Sequence, residues 1–320
     1  MIIQTAFIGD VILATALLES IHDKLPQAKI DVLVRSGNEG LLANHPFINK
    51  VYVWDKKNQK FKNLKSILKE VKKTKYDLLI NLQRFGSTGW FAWRAKSRIK
   101  VGFDKNPFSF CYTHKVKHQV QDGTHEINRN FNLIKEIGEF ELKKPKLYPA
   151  QSDLDKAAAI KGDGEIVVLA PSSVWYTKAL PLEKWIEIIQ QYKEDVKIVL
   201  IGANSDKKLL DEIVEKSKRK NVHNAAGELS LLASSALISM AIMTHVNDSA
   251  PLHLASACNA PVTAYFCSTI PEFGFGPLSD NSTIKQTTEK LDCRPCGLHG
   301  KSQCPKGHFK CGKTIDVTFF

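Results

Sequence analysis
Residues 242–266, IMTHVNDSAPLHLASACNAPVTAYF, change hydrophobic period twice within a short distance. Residues 242–246 are a short apolar run that suits a buried strand. Asn247, Asp248 and Ser249 are helix-capping types, and Pro251 falls where a first helical turn tolerates a missing N–H. A helix is therefore predicted from about Ala250, with Leu252, Leu254, Ala255 and Cys258 on its apolar side and Asn259 as its stop. Residues 261–266 read as the next strand. Strand, helix and strand make a βαβ unit. The loop at the first strand's carboxyl end, with the helix N-terminus after it, is the usual place for a phosphate-bearing ligand.

The same rhythm extends outward in the N-terminal direction. Residues 166–169 are strand-like, 182–192 helical, 196–201 a strand ending in Gly202, and 207–216 a charged amphipathic helix. A short strand around Val222 and an apolar helix over 230–241 follow. The first half alternates likewise: strands over 1–6, 30–34, 51–54 and 77–82, and helices over 11–21, through the lysine-rich segment after Trp54, and over 127–137. The region 105–124 carries few helical signals, and the polar stretch EFELKKPKLYPAQSD suggests a boundary near residue 150. The expectation is two successive parallel α/β domains, 1–150 and 151–320.

Bulk properties narrow the class. A chain of 320 residues with 43% hydrophobic content can bury two cores. Met1 opens directly on an apolar, strand-like run without a basic segment, so no signal peptide is expected. Residues 229–247 lack charge, but four serines, a threonine, a histidine and an asparagine favour a buried helix running into a strand over a membrane span. Seven cysteines, an odd number, point to a reducing compartment and a cytoplasmic location. The net charge is +12. Nine lysines between Lys56 and Lys75 crowd one segment, where Phe61, Leu64, Ile67, Leu68 and Val71 recur at helical spacing. Its basic face is either simply solvated or meets anionic lipid or an anionic acceptor.

Five segments resemble glycosyltransferase family 9, the ADP-heptose:lipopolysaccharide heptosyltransferases, in the family's order. They are FIGDVILATALL (7–18), THEINRNFNLI (124–134), APSSVWYTKALPLEKW (170–185), VNDSAPLHLASACNAPV (246–262) and CRPCGLHGKSQCPKGHFKC (293–311). The last is similar to the heptosyltransferase II branch. The resemblance implies a GT-B arrangement, two Rossmann-like domains facing each other across a cleft. It implies an inverting transfer of heptose from ADP-heptose to the anionic inner core of lipopolysaccharide, at the cytoplasmic surface of the inner membrane, with no catalytic metal.

Such a transfer needs a base for the acceptor hydroxyl and stabilisation for the departing diphosphate. Asp10 follows Gly9 at the end of the first strand. By position it reads as a helix N-cap, whereas its match to the family's GD motif implies the base. Ser172, Ser173 and Lys178 follow the strand 166–169, where two hydroxyls and an ammonium can hold diphosphate oxygens. Lys178 and the dipole of the helix from Ala250 can take the charge role a divalent ion plays elsewhere. Ser249, Ala250 and His253 are expected to complete the donor pocket, with Asp248 on sugar hydroxyls because its charge is wrong for phosphate. Lys60, Arg84 and Arg94 are the candidates for the anionic acceptor.

Cys293, Cys296, Cys304 and Cys311 are spaced C-x2-C-x7-C-x6-C, with His299 and His308 among them. They read either as a tetrahedral structural zinc site or as reduced thiols in a loop. A nucleic-acid-binding module would suit the charge and the Cys/His cluster, but no recognisable binding fold or stacking motif accompanies them. A nicotinamide-dependent oxidoreductase would suit the α/β pattern, but no G-x-G-x-x-G follows any strand.

Overall fold
In a computed structural model describing residues 1–120 and 122–319, the chain forms two compact units, Met1–Tyr148 and a second starting at Pro149. Phe320, the end of the expected second domain, lies outside the described residues.

The first unit runs β1 (Ile2–Ile3), α1 (Ile8–Lys24), β2 (Ile30–Arg35), β3 (Ile48–Trp54), α2 (Lys60–Val71), β4 (Tyr76–Asn81), α3 (Gly86–Arg94), β5 (Ser97–Phe103), β6 (His114–Val116) and α4 (Glu126–Lys135). Its sheet has the order β3-β2-β1-β4-β5-β6, and every pairing is parallel. β1 is short but central, with Ile2 in register with Val32 on one side and Ile80 on the other. Residues 11–18 of α1 are buried throughout, as expected of a helix that is apolar on all sides. Its buried hydroxyls are satisfied locally: Thr15 donates to the Ile12 carbonyl and accepts from the Lys146 N–H, and Ser20 does the same with Ala16 and Lys143.

The second unit comprises α5 (Gln151–Lys161), β7 (Ile166–Ala170), α6 (Leu182–Gln190), β8 (Lys197–Leu200), α7 (Lys207–Ser217), β9 (Val222–Asn224), α8 (Leu231–Ser239), β10 (Met243–Asn247), α9 (Ala250–Ala257), β11 (Val262–Phe266), β12 (Ser282–Gln286) and α10 (Lys310–Lys313). Its parallel sheet has the order β12-β11-β10-β7-β8-β9. Numbered within each unit, both sheets therefore have the doubly wound order 3-2-1-4-5-6. Each reverses direction once, between β1 and β4 and between β7 and β10. Ligands of such sheets bind outside the strands' carboxyl ends at that reversal.

Several elements were not legible in the sequence, for physical reasons. Only Ala157 of α5 is buried, so that helix shows no apolar period. β12 is an edge strand with three exposed residues, and β6 has three residues in all. Phe61, expected on the apolar face of α2, is 64% exposed, while Leu64, Ile67, Leu68 and Val71 are buried. The uncharged stretch 229–247 resolves into α8 and β10. Among the described residues no helix is long and apolar enough to cross a membrane.

Candidate active site
In the second unit the residues after β7 and β10 meet at the sheet's reversal. Asn247, fully buried at the end of β10, donates to the Pro171 carbonyl at 2.8 Å and accepts from the Leu180 N–H at 2.8 Å. It is a brace between the two loops and not a cap. The next residue, Asp248, pairs with Lys178: Nζ lies 2.8 Å from Oδ2, with the side chains 15% and 9% exposed. Thr269, just beyond β11, donates to the same Oδ2 at 2.6 Å. The expected division of labour between Lys178 and Asp248 is therefore coupled. Asp248 holds the ammonium in place, and a lysine has three donors, so the pair can persist while a phosphate oxygen is bound.

The other donor-side candidates divide. Ser172 donates to Asp206 at 2.8 Å, so its proton is already engaged. Ser173 accepts from the Trp175 N–H at 3.4 Å, which leaves its own proton out of that contact. Ser249 is the N-cap of α9 by backbone position, but its hydroxyl donates to the Asn247 carbonyl at 3.4 Å instead of capping. Ala250 is the first residue of α9, and His253 is buried one turn on, its ring edge against Phe275. His245, by contrast, is a core histidine held between the Tyr192 and Tyr265 hydroxyls at 2.6 and 2.9 Å.

The cysteine-rich segment contributes to this site by position. Among the described residues no three His, Cys, Asp or Glu side chains are grouped closely enough to hold a metal ion, which corrects the expectation of a structural zinc on Cys293, Cys296, Cys304 and Cys311. The thiols are directed elsewhere. Cys296 donates to the Cys293 carbonyl at 3.2 Å, Cys293 lies 3.8 Å from His308 Nε2, and Cys311 is packed into the apolar core. The segment instead lines the Lys178 loop. The Lys301 N–H and the Ser268 hydroxyl both donate to Thr177 Oγ1, at 2.8 and 2.9 Å. Gly300 has φ +72°, and a Cβ there would lie 2.8 Å from Lys178 Cγ. Arg294 donates to the carbonyls of Phe266, Cys267 and Thr269, fixing the loop that carries Asp248's partner.

In the first unit the loops after β1 and β4 meet in the same way. Gln83, past β4, donates to Gln4, past β1. Asp10 is the third residue of α1 and does not open it; its Oδ2 accepts from the Phe7 N–H at 3.1 Å, closing the helix start. The sequence reading missed what lies beside it. Glu126, the first residue of α4, is buried and paired at 2.8 Å with the Nε of buried Arg129. Burial pushes the Glu126 carboxyl up to about 7; Arg129 opposes the shift and the Asp10 charge adds to it. Arg84 also bears on Glu126 and on His118, whose imidazole is held down to about 4 by burial and by Arg84 and Arg129. Some of the buried atoms with no hydrogen-bond partner among the described residues are on these same segments: Gln4 Nε2, Thr5 Oγ1, His118 Nδ1 and both amide atoms of Asn130. The T-H-E-x-x-R spacing could have disclosed the pair, since Glu126 and Arg129 share a helix face three residues apart.

Lys60 opens α2, at the carboxyl edge of the sheet, next to Lys56. Lys56 donates to the Thr5 carbonyl and is lowered to about 8 by burial and by Arg35 and Lys60. Arg94 ends α3, eight residues and about 12 Å of helix from Gly86.

Residues 64–304 match glycosyltransferase family 9 (heptosyltransferase), and the chain belongs to that family of glycosyltransferases. It is 28% identical over 296 residues to Lipopolysaccharide heptosyltransferase 3 of Escherichia coli, covering 86% of this chain and 85% of that one. It is 27% identical over 299 residues to Lipopolysaccharide heptosyltransferase 1 of Campylobacter coli, covering 84% and 83%. The solved structure of E. coli ADP-heptose lps heptosyltransferase II shares the GT-B fold, with a TM-score of 0.75 at 19% identity over 92% of this chain and 94% of that one. These relatives lend no support to an oxidoreductase or a nucleic-acid-binding module.

The Glu126 titration has a measurable consequence for stability. Its value in the folded chain, about 7, lies above its ordinary 4.5, so its contribution is fully present below about 4.5 and is lost as pH rises through about 7. Glu126→Gln should remove this slope. The urea midpoint of the wild type is expected to fall relative to the variant across that window and then to run parallel to it; curves parallel throughout would show that Glu126 does not titrate there.

Proposed function
We propose that the chain is an inverting heptosyltransferase that moves a heptose from ADP-heptose to the inner core of lipopolysaccharide. The observation that carries this reading is the largely buried Lys178–Asp248 pair at the reversal of the second sheet, in a chain of glycosyltransferase family 9. Lys178, Ser173 and the N-terminus of α9 take the diphosphate, and Asp248 orients Lys178 and meets the sugar. The acceptor oxygen attacks the anomeric carbon as its proton passes to Asp10, and the bond to the diphosphate breaks with its electron pair going to ADP. One displacement inverts the configuration. Arg84 and Lys60 attract the anionic acceptor.

Asp10→Asn tests the assignment of the base. Asn keeps an acceptor for the Phe7 N–H but cannot take a proton, so stability and donor affinity should be near normal while turnover falls by roughly 10² to 10⁴. A folded variant that transfers heptose at the wild-type rate, with both substrates saturating, would show that Asp10 only closes the helix.

The acceptor's lipid anchor implies work at the cytoplasmic face of the inner membrane, as a peripheral protein. Supporting this, exposed aromatics of the first unit carry cations over their rings: Lys60 over Phe61, Arg84 over Phe85 and Arg94 over Trp93. Trp93 also packs with Phe108 and with Phe110, itself 64% exposed. Apolar rings beside positive charge suit the headgroup region of an anionic bilayer. Co-sedimentation with phosphatidylglycerol vesicles should weaken in Trp93→Ala/Phe110→Ala and, for the wild type, with rising salt. Equal binding by wild type and variant would assign these rings another use.

A further inference from the structure
The Glu126–Arg129 pair sits one helix away from the residue proposed as the base, and no step of the transfer uses it. α4 packs against α1, and the Asp10 charge on α1 reaches the Glu126 carboxyl on α4. Arg129 is fixed twice, by Glu126 at 2.8 Å and by the Thr124 carbonyl. His125 caps the helix by accepting from the Ile127 N–H at 3.3 Å, which holds the first turn in place. A carboxylate this buried is costly unless it is paired, and the pairing here leaves it beside a second carboxylate. That arrangement is a poor way to stabilise a fold and an effective way to alter the proton affinity of a neighbour.

We propose that Glu126 is a positioning residue for Asp10: its buried carboxylate, clamped by Arg129, sets how strongly Asp10 holds the proton it takes from the acceptor hydroxyl. The inference rests on Asp10 being the base. The charged groups that bear on Glu126 are Arg129 on its own helix, Asp10 on α1 and Arg84 past β4. His118, past β6, faces Arg84, Arg129, Lys105 and Asp104, and stays neutral near pH 7 because it is held down to about 4. Like charges raise each other's proton affinity, so an ionised Glu126 makes Asp10 the stronger base, and a protonated Glu126 makes it the weaker one. With the Glu126 carboxyl pushed up to about 7, this change falls near neutral pH.

The test is the pH dependence of kcat at saturating donor and acceptor, in the wild type, Glu126→Gln and Asp10→Asn. The wild type should gain rate as pH rises through about 7. The step should be about threefold for each unit by which Asp10 is raised, at a Brønsted slope of about one half. Glu126→Gln should stay on the low-pH plateau with no step. Its carbon-13 carboxyl resonance, assigned by its loss in Glu126→Gln, should titrate at lower pH in Asp10→Asn than in the wild type, because a like charge is gone. A merely structural pair would change rate or stability without moving either titration. An unchanged step in Glu126→Gln, with turnover lost in Asp10→Asn, overturns the role of Glu126 alone. Wild-type turnover in Asp10→Asn removes the base, and this role with it.

Discussion
In both sheets the strand that opens the unit lies in the middle, and the chain builds first to one side of it and then to the other. At β1/β4 and again at β7/β10, adjacent loops leave the sheet in opposite directions, so neither covers the strand ends between them. Polar side chains there are not forced into secondary structure. Asn247, Asp248 and Lys178 fill the second gap, and Gln4 and Gln83 the first, with Asp10 in the opening turn beyond β1.

What holds these groups is a second layer, and in each unit it comes from sequence far away. In the second unit it is the cysteine-rich segment, with help from the loop beyond β11: Lys301 and, from that loop, Ser268 fix Thr177, Gly300 admits the Lys178 stem, and Arg294 ties down three carbonyls of the same loop. In the first it is α4, which packs on α1 and carries the Glu126–Arg129 pair that feels the Asp10 charge. Both layers place charge where burial magnifies it. The largely buried Lys178–Asp248 pair costs desolvation; under the proposed function, what it provides in return is a fixed ammonium for the diphosphate.

The first layer was largely legible in the sequence. The βαβ unit around Asn247, Asp248 and Ser249 declares itself by two changes of period, and the lysine after β7 stands out by its place. The second layer was not. Thr177, Ser268 and Gly300 are ordinary residues whose use depends on a loop more than 100 residues away in sequence, and no period or spacing reports it. Of the two readings of the cysteines, the zinc site gains no support, because spacing alone does not aim the sulfurs: Cys311 turned into the core with Phe309. Asp10 misled by one turn, since a carboxylate at the third helical position can close a helix as well as one at the cap. α5 and β12 escaped because they bury too little to leave a pattern.

The central claim is that the pair at the second reversal exists to hold a diphosphate. Calorimetric titration of ADP into the wild type and Lys178→Ala tests it most directly, because it needs neither acceptor nor turnover. The account predicts that the folded variant loses affinity by about 1.5 to 3 kcal/mol, the usual worth of a charged hydrogen bond. Equal affinity in the two proteins would contradict it and leave Lys178–Asp248 as an ion pair serving only the fold.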